Sequence, residues 1–177
     1  MLIVGDNLIE LVQQHEIVNK SENFDVTCIS LKLGSETISY VKKPGFDTLV
    51  YGEHIPEDII EKKCITDEGI IIPPHSSVLA SSYEYIKMPI GYFGLIQTKG
   101  SLARLFVSIQ FSDGQVDPGF AGKLTFEIFN GSEFNIKLHK TQKVANLYIF
   151  KTSTKNIKSY KGKYNNANGP TIAMPED

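Results

Sequence analysis

Short β-type segments separated by turn residues dominate this sequence and limit the folds that it can adopt. Eight apolar or β-branched runs occur at 26–31, 69–72, 77–80, 93–96, 105–109, 123–129, 135–138 and 145–150. Turn-forming residues separate many of them, including Pro73-Pro74, Asp113-Gly114, Asp117-Pro118-Gly119 and Asn130-Gly131-Ser132. Many short strands at close spacing predict a mainly β domain, built as a sandwich, a jelly roll or a distorted barrel.

The N-terminus carries the clearest helical signal. Asp6 is followed by Leu8, Leu11 and Val12 at helical spacing. Aspartate is a favoured N-cap, because its carboxylate accepts hydrogen bonds from the unpaired amides of a first helical turn. We therefore expect a short N-capped amphipathic helix that reaches to about His15, followed by a β-rich chain.

Two polar stretches are expected at the surface. The stretch 42–63 contains prolines and glycines and is mostly polar, which predicts a surface excursion rather than a linker. The segment 151–177 is rich in Lys, Asn, Ser, Thr and Gly, as a mobile tail would be. Its aromatic residues Tyr160 and Tyr164 favour partial packing instead. We predict a single domain over 1–177, with 151–177 as its C-terminal segment.

The composition argues against several classes of protein. The chain has 177 residues, 41% of them hydrophobic and 21% charged, with a formal net charge of −2. This charge balance lacks the basic excess that attracts long nucleic acids or anionic membranes, although a small phosphorylated ligand needs only a few cations. No apolar run approaches the roughly 20 residues of a membrane span, and no secretory signal is recognisable. A cytoplasmic location is therefore expected.

Cysteine and histidine usage argues against disulfides and zinc. Cys28 and Cys64 lie far apart in apolar surroundings, as expected of buried or half-buried free thiols in a reducing compartment. The four histidines are scattered, without ligand spacing among themselves or with the cysteines. The H-x-E…P-C-x-x-C signature of zinc deaminases is missing, as are a Walker A loop and a G-x-S-x-G elbow. We therefore expect no zinc.

The densest group of potential ligand-binding residues lies at 98–104, directly after an apolar run. Lys99 and Arg104 supply positive charge for phosphates, and Ser101 supplies a hydroxyl. Gly100 allows backbone amides to approach an anion closely. A charged turn leading into a strand would contain the same residue types, and the local sequence alone favours that interpretation.

Two acidic residues further along are candidates for chemistry. Asp117 lies in a glycine-bracketed turn where its carboxylate could accept a sugar hydroxyl, although a plain β-turn explains the same residues. Glu127 lies in a strongly apolar strand and is either exposed on the wet face, as the local pattern favours, or buried for proton shuttling. Alternation predicts two faces for this strand, Leu124, Phe126 and Ile128 on one and Thr125, Glu127 and Phe129 on the other.

In this order and spacing, the segments 99–104, 116–122 and 125–130 resemble the dCTP deaminase family, which is related to the trimeric dUTPases. The family carries an R-S-S-L-A-R loop, an I-D-P-G-[WF]-x-G turn and a strand reading x-x-L-E-x-x-N. Further stretches are similar to other family elements: 30–34 to D-L-R-L-G, 72–74 and 81–89 to P…A-x-T-x-E-x-[IV]-x-[LM]-P, and 159–164 to P-Y-x-G-K-Y. The resemblance covers the chain from about Cys28 to Pro170.

The resemblance implies a distorted β-barrel or jelly roll of the dUTPase-like type with a short N-terminal helix. It also implies a homotrimer with active sites between the subunits. The ligand would be a small nucleotide, dCTP or dUTP, whose triphosphate is bound with Mg²⁺. The segment 151–177 is then expected to close over this nucleotide.

The activity implied by the resemblance is metal-free hydrolytic deamination of dCTP to dUTP and ammonia. By position, Glu127 matches the general base and acid, and Arg104 matches the arginine beside it. One carboxylate in a desolvated pocket can serve both proton transfers, from the water attacking C4 and to the leaving amine. The substrate-binding residues implied in the same way are Lys99, Gly100, Ser101, Leu102, Ala103, Asp117, Thr125, Phe126, Tyr160, Lys163 and Ala167.

Four positions depart from the family pattern: Ser30, Lys99, Gly100 and Ala167. Ser30 replaces the aspartate of D-L-R-L-G. The loop loses the bidentate geometry of an arginine at Lys99 and a serine hydroxyl at Gly100. Ala167 replaces a glutamine that reads the base edge in the family, and Asn166 or Asn168 could substitute for it.

Other functions remain open alongside the deaminase. Gly122 and Glu127 have the deaminase spacing, whereas Gly114, three residues before Asp117, resembles the dUTPases and the bifunctional deaminase–dUTPases. The first alternative is therefore a bifunctional enzyme giving dUMP and pyrophosphate, or a dUTPase outright. A second is a non-catalytic nucleotide-binding paralogue, which the departures at the loop and at Ala167 motivate. The ordered co-occurrence of the motifs argues against a plain β-sandwich interaction module.

Overall fold

The computed structural model describes residues 1–19 and 24–176, and within them the chain is mainly β. A single 3₁₀ turn, Glu57–Ile59, precedes the second strand. The helices and strands of the described residues are α1 (Asp6–His15), β1 (Ile29–Tyr40), β2 (Ile60–Cys64), β3 (Ile70–Ile72), β4 (Ser77–Ser82), β5 (Ile86–Lys87), β6 (Tyr92–Thr98), α2 (Gly100–Ala103), β7 (Val107–Ser108), β8 (Gln115–Val116), β9 (Ala121–Gly122), β10 (Thr125–Asn130), β11 (Ile136–Leu138) and β12 (Lys143–Lys151).

One large curled sheet organises these strands. Its order is β7-β10-β4-β1-β12-β6-β8, with β2 also paired to β1, and two small sheets join β3 to β11 and β5 to β9. The first residues of β1 pair with β12, and its later residues pair with β4 and β2. Register shifts lie at Leu31/Lys32 and between Leu33 and Thr37, and such bulges bend a strand and increase its twist. The sheet therefore curls into a half-barrel, which confirms the predicted fold class.

The core lies on the inner face of this curled sheet. Alternate residues of β10 and β12 are fully buried there, among them Phe126, Ile128, Leu147 and Ile149. Helix α1 adds its apolar stripe to the same cluster, as the helical spacing predicts. Each large apolar side chain buried in this way contributes about 1.5–3 kcal/mol relative to exposure.

The N-terminal helix is confirmed, but its predicted cap is wrong. The N-cap position is Gly5, with φ 58°, and no side chain caps the helix there. Asp6 is the first helical residue, so its carboxylate lies beside the unpaired amides and favourably faces the positive end of the helix dipole. Only glycine enters the left-handed region at Gly5 without strain, which explains why the chain turns one residue earlier than predicted.

The predicted surface excursion at 42–63 is partly wrong. Its last residues belong to β2, where Lys62 pairs with Ile38 and Glu61 with Ser39 of β1. The polar composition is compatible with this pairing, because β2 pairs only with β1 among the described strands and its residues from Glu61 to Cys64 all remain exposed at the surface. In the described part of the chain, no helix is long and apolar enough to cross a membrane.

Both cysteines are free, as predicted, but they differ in burial. Cys28 is buried, whereas Cys64, at the end of β2, is exposed rather than half-buried. Burial raises the pKa of the Cys28 thiol, and the nearby Asp25 carboxylate adds to this effect. Cys28 is therefore held as an unreactive thiol within the fold.

Truncating Phe126 tests the assignment of the core face of β10. We expect Phe126→Ala to lower the free energy of unfolding by about 3–5 kcal/mol, because it leaves a cavity at a fully buried site. Phe134→Ala is the matched control, since that ring is 76% exposed, and should change stability by less than about 0.5 kcal/mol. Urea unfolding at one fixed protein concentration measures both, and equal losses would contradict the assignment.

Candidate active site

A cavity of about 700 Å³ lies between the sheet and the C-terminal segment. Residues of β6, β8 and β10 form one wall, and Tyr40 at the end of β1 contributes to another. The C-terminal segment covers the cavity with Tyr160, Tyr164 and the residues around Thr171. Five of the residues predicted to act at the site line this cavity: Asp117, Thr125, Glu127, Tyr160 and Ala167.

The position of Glu127 follows from the register of β10. Five consecutive residue pairs join β10 to β4, including Glu127 to Leu79. The predicted two-face alternation is confirmed, because Phe126 and Ile128 are buried in the core while Thr125, Glu127 and Phe129 are half-buried on the opposite face. Glu127 therefore lies in the cavity wall, neither fully exposed nor fully buried.

Three hydrogen bonds hold the Glu127 carboxylate, and all of them end on Oε2. The backbone N–H and the hydroxyl of Ser112 each donate at 2.8 Å, and the backbone N–H of Asp113 donates at 3.3 Å. None of the hydrogen bonds found among the described residues ends on Oε1. One oxygen thus fixes the orientation of the carboxylate, and the other is available to a water or a base, which is the arrangement that a general base requires.

The predicted turn at Asp117 is a β-turn in the structure. The N–H of Phe120 donates to the carbonyl of Asp117 at 3.1 Å, and Gly119 has φ 87°. The turn also leaves the Asp117 side chain exposed at the cavity. The geometric explanation and the ligand-binding explanation of this motif are therefore compatible.

The C-terminal segment packs against the body of the protein, as its tyrosines predicted. The Tyr160 N–H donates to the Pro118 carbonyl at 2.8 Å, and its ring lies 5.9 Å from that of Phe120. Burial raises the pKa of the Tyr160 phenol, and the Asp117 carboxylate reinforces the shift. At Tyr40, which also lines the cavity, burial likewise raises the phenol pKa.

Further along, the same segment pairs with the chain on either side of Gly122 in the manner of an added strand. The Asn166 N–H donates to the Ala121 carbonyl at 2.6 Å, and the Lys123 N–H donates to the Ala167 carbonyl at 2.7 Å. These bonds place the segment directly over the start of β10. The segment therefore forms a continuous roof between the Asp117 turn and Glu127.

The loop 99–104 lies away from this cavity. Its residues Gly100–Ala103 form the single turn α2, and Arg104 Nη1 donates to the Gly100 carbonyl at 2.8 Å. Leu102 is buried in the core cluster. Among the described residues, no member of the predicted loop set Lys99, Gly100, Ser101, Leu102, Ala103 and Arg104 lines the cavity.

Two other predicted substrate contacts are also placed differently. The Phe126 ring lies wholly in the core, so only its backbone could meet a ligand. Lys163 Nζ donates to the carbonyls of Met174 and Pro175 at 3.0 and 2.7 Å, which ties the C-terminal segment to itself. The sequence does not reveal such contacts, because a lysine next to a tyrosine fits a ligand contact and an intramolecular hydrogen bond equally well.

The two candidate substitutes for the base-reading glutamine do not line the cavity. Asn166 Oδ1 accepts a hydrogen bond from the Tyr85 hydroxyl at 3.4 Å, and Asn168 is exposed. The cavity instead contains polar side chains that the sequence did not single out: Tyr40, Ser112, Asp113, Gln115, Lys123 and Thr171. Two-residue alternation back from Glu127 through Thr125 reaches Lys123, so the sequence did contain a signal for this lysine. Thr171 had no such signal, because only the packing of the C-terminal segment brings it to the cavity.

The charge of the cavity is predominantly negative within one chain. Asp113, Asp117 and Glu127 line it, and Lys123 is the one lysine or arginine among the described lining residues. The described residues contain no group of three or more His, Cys, Asp and Glu side chains that could hold a metal ion. A triphosphate entering this cavity would therefore need cations from elsewhere.

The fold and the cavity define a mainly β protein of the dUTPase-like type with a carboxylate-bearing site under a C-terminal segment. A family model described as dCTP deaminase-like matches residues 3–152. The chain therefore belongs to the dCTP deaminase-like family, as the motifs predicted.

Several relatives and a solved structure are similar to this chain. It is 35% identical to a protein of Nanoarchaeum equitans named "dCTP deaminase, dUMP-forming", over 97% of this chain and 96% of that protein. A protein of Sulfurihydrogenibium with the same name is 32% identical, over 82% and 79% of the two chains. The structure of the 2'-deoxycytidine 5'-triphosphate deaminase of Agrobacterium tumefaciens matches with a TM-score of 0.60 at 15% identity, over 84% of this chain and 46% of that one, which supports the fold alone.

These names overturn one prediction. The sequence motifs led us to expect a reaction that ends at dUTP, but the relatives are named for forming dUMP. The bifunctional alternative fits them better. The motif around Glu127, on which the prediction rested, gives no information on whether pyrophosphate is released after deamination, so this prediction was wrong.

A pair of glycine substitutions tests the docking of the C-terminal segment. A Cβ at Gly119 would collide with Ser159, whereas a Cβ at Gly45 meets nothing within 4 Å, and both glycines have positive φ, 87° and 80°. We expect both alanine variants to lose about 1 kcal/mol of stability from backbone strain. Only Gly119→Ala should also expose the segment to trypsin at Lys158 and Lys161, and equal cleavage of the two variants would argue against docking.

Proposed function

We propose that this protein is a bifunctional dCTP deaminase–dUTPase that converts dCTP and two waters to dUMP, ammonia and pyrophosphate. The observation that carries the proposal is the Glu127 carboxylate, fixed through Oε2 by Ser112 and Asp113 inside a cavity roofed by the C-terminal segment. The naming of the relatives as dUMP-forming supports the second step.

In the first step, Glu127 acts as general base and then as general acid. Its Oε1 takes a proton from the water that attacks C4 of cytosine, and that proton passes to N3. The C4–N4 bond then breaks with proton transfer to the leaving amine, which departs as ammonia and leaves uracil. A single carboxylate shielded from bulk water supplies this proton traffic without a metal.

In the second step, a water attacks the α-phosphorus of the uracil nucleotide and the bond to the bridging α–β oxygen breaks. Pyrophosphate leaves and dUMP remains. We propose that Asp117, which lines the cavity, holds the sugar while the phosphates extend outward. We propose that Mg²⁺ arrives with the triphosphate and neutralises part of its charge, since such ions are commonly held by one or two carboxylates together with substrate phosphates.

We further propose that the working unit is a homotrimer in which a neighbouring copy completes each site. Three carboxylates and one lysine in the single-chain cavity would repel a triphosphate, whereas the loop cations Lys99 and Arg104 lie outside it. The apolar side chains of Leu105 and Phe106, just beyond this loop, are 52% and 73% exposed. Contact between copies through this surface would bury these side chains and bring the loop cations to the cavity of a neighbour.

The first test of the activity is chromatography of nucleotides after incubation of the purified protein with Mg²⁺ and dCTP. We expect dUMP from the unchanged protein and at least a hundredfold lower rate with Glu127→Gln, because the amide cannot take the proton from water. Glu133→Gln is the matched control, since this glutamate is exposed and pairs with His75. If dCTP stays intact but a parallel incubation with dUTP yields dUMP, the protein is a plain dUTPase instead, and binding of both nucleotides without any product would show a non-catalytic paralogue.

Mixing two inactive variants tests the shared site. Glu127→Gln and Arg104→Ala should each be inactive alone, but subunits unfolded and refolded together should regain activity. At equal mixing, about one site in four combines an intact Glu127 with an intact Arg104 from its neighbour. Recovery to about a quarter of the rate of the unsubstituted protein supports the shared site. If the refolded mixture is trimeric but shows no activity, both residues serve the site of the same subunit.

A further inference from the structure

A pair of threonine hydroxyls lies in the cavity beside Glu127. Thr125 precedes Glu127 by two residues on the same face of β10, so the two side chains start about 7 Å apart along the strand. Thr171 reaches this point from the C-terminal segment, and its Oγ1 lies 2.9 Å from Thr125 Oγ1. Both threonines are half-buried and line the cavity. A planar ring placed against Glu127 would have these hydroxyls at its edge.

The hydrogen bonds within this pair allow Thr171 to present either a donor or an acceptor to a ligand in the cavity. The Thr171 N–H donates to Thr125 Oγ1 at 3.1 Å, which anchors the two residues to each other independently of their hydroxyl protons. If Thr125 donates to Thr171, the Thr171 proton can point toward a ligand. If Thr171 donates, its remaining lone pairs and the Thr125 proton face outward instead. A hydroxyl is one donor and two acceptors and rotates to suit its partner, so the pair can offer either polarity.

The reaction that we propose above needs such a reversal, and the inference rests on that proposed function. Cytosine presents a donor at N4 and an acceptor at N3, whereas uracil presents an acceptor at O4 and a donor at N3. A residue of fixed polarity would match one base and leave an unmatched buried group against the other. An enzyme that holds the first base and then the second under one closed segment therefore requires an edge contact that can switch.

We propose that Thr171, acting with Thr125, is a specificity-determining residue that contacts the pyrimidine edge and lets one closed site accept both cytosine and uracil nucleotides. No other side chain of the C-terminal segment combines a cavity position with a hydroxyl bonded to β10 among the described residues. Ala167, which lies over the same strand, has no polar side chain for this task.

The test compares Thr171→Val with Thr171→Ser. Valine keeps the shape but removes the Thr171 hydroxyl, so the pair no longer reverses its polarity as a unit. Thr125 alone then faces the base edge, with one of its two lone pairs occupied by the Thr171 N–H, and serves the two bases unequally. We expect the ratio of kcat/KM for dCTP to that for dUTP to change by about tenfold with valine, the effect of one unmatched hydrogen-bonding group. Thr171→Ser keeps a hydroxyl and should therefore have the same ratio as the unchanged protein. Thr66→Val, at an exposed threonine outside the cavity lining, should also leave the ratio unchanged.

A binding measurement separates failure of this inference from failure of the proposed function. Calorimetric titration of Glu127→Gln with α,β-imido dCTP and α,β-imido dUTP reports affinity without turnover. Adding Thr171→Val should change the ratio of the two dissociation constants by a similar factor. If the unchanged protein forms dUMP but both ratios stay constant in Thr171→Val, the role of Thr171 is refuted while the activity stands. If both affinities fall equally and trypsin cleaves the segment, Thr171 only docks the segment, and the inference is likewise overturned.

Discussion

The register between β4 and β10 is the constraint on which the site depends. Side chains of a strand alternate between its two faces, so a slip of one residue would place Glu127 in the core and Phe126 in the cavity. Five consecutive pairs with β4 prevent this slip, and the fully buried Phe126 and Ile128 make it costly. The same burial that stabilises the sheet therefore aims the carboxylate, and Ser112 and Asp113 only set its final orientation.

The C-terminal segment covers this face of the sheet and so forms a cavity. It bonds to the Asp117 turn through Tyr160 and to the residues around Gly122 through Asn166 and Ala167. The segment contributes no described residue to the buried apolar cluster, so its position rests mainly on hydrogen bonds and on the one ring contact between Tyr160 and Phe120. Such segments open at a low free-energy cost, which is compatible with the proposed entry of a nucleotide and release of products.

The acidic and the basic residues of the predicted site lie in different places on the chain. The carboxylates lie in the cavity and the loop cations lie on another surface of the same chain. A triphosphate needs both, which is why we favour assembly as the step that completes the site. In that proposal, the carboxylates and the loop cations of one site come from different copies of the chain.

The sequence by itself determined the β architecture, the faces of β10 and the family, because these follow from short-range patterns of two-residue alternation, turn residues and motif spacing. It also placed Asp117 and Glu127 in order along the chain. The tertiary structure decided which distant residues meet them. Thr171 reaches Thr125 across 46 positions, and Ser112 reaches Glu127 through a loop, whereas Lys163 is occupied by carbonyls of its own segment. Such contacts depend on how the curled sheet and the C-terminal segment pack against each other, and no local pattern of residues encodes that packing.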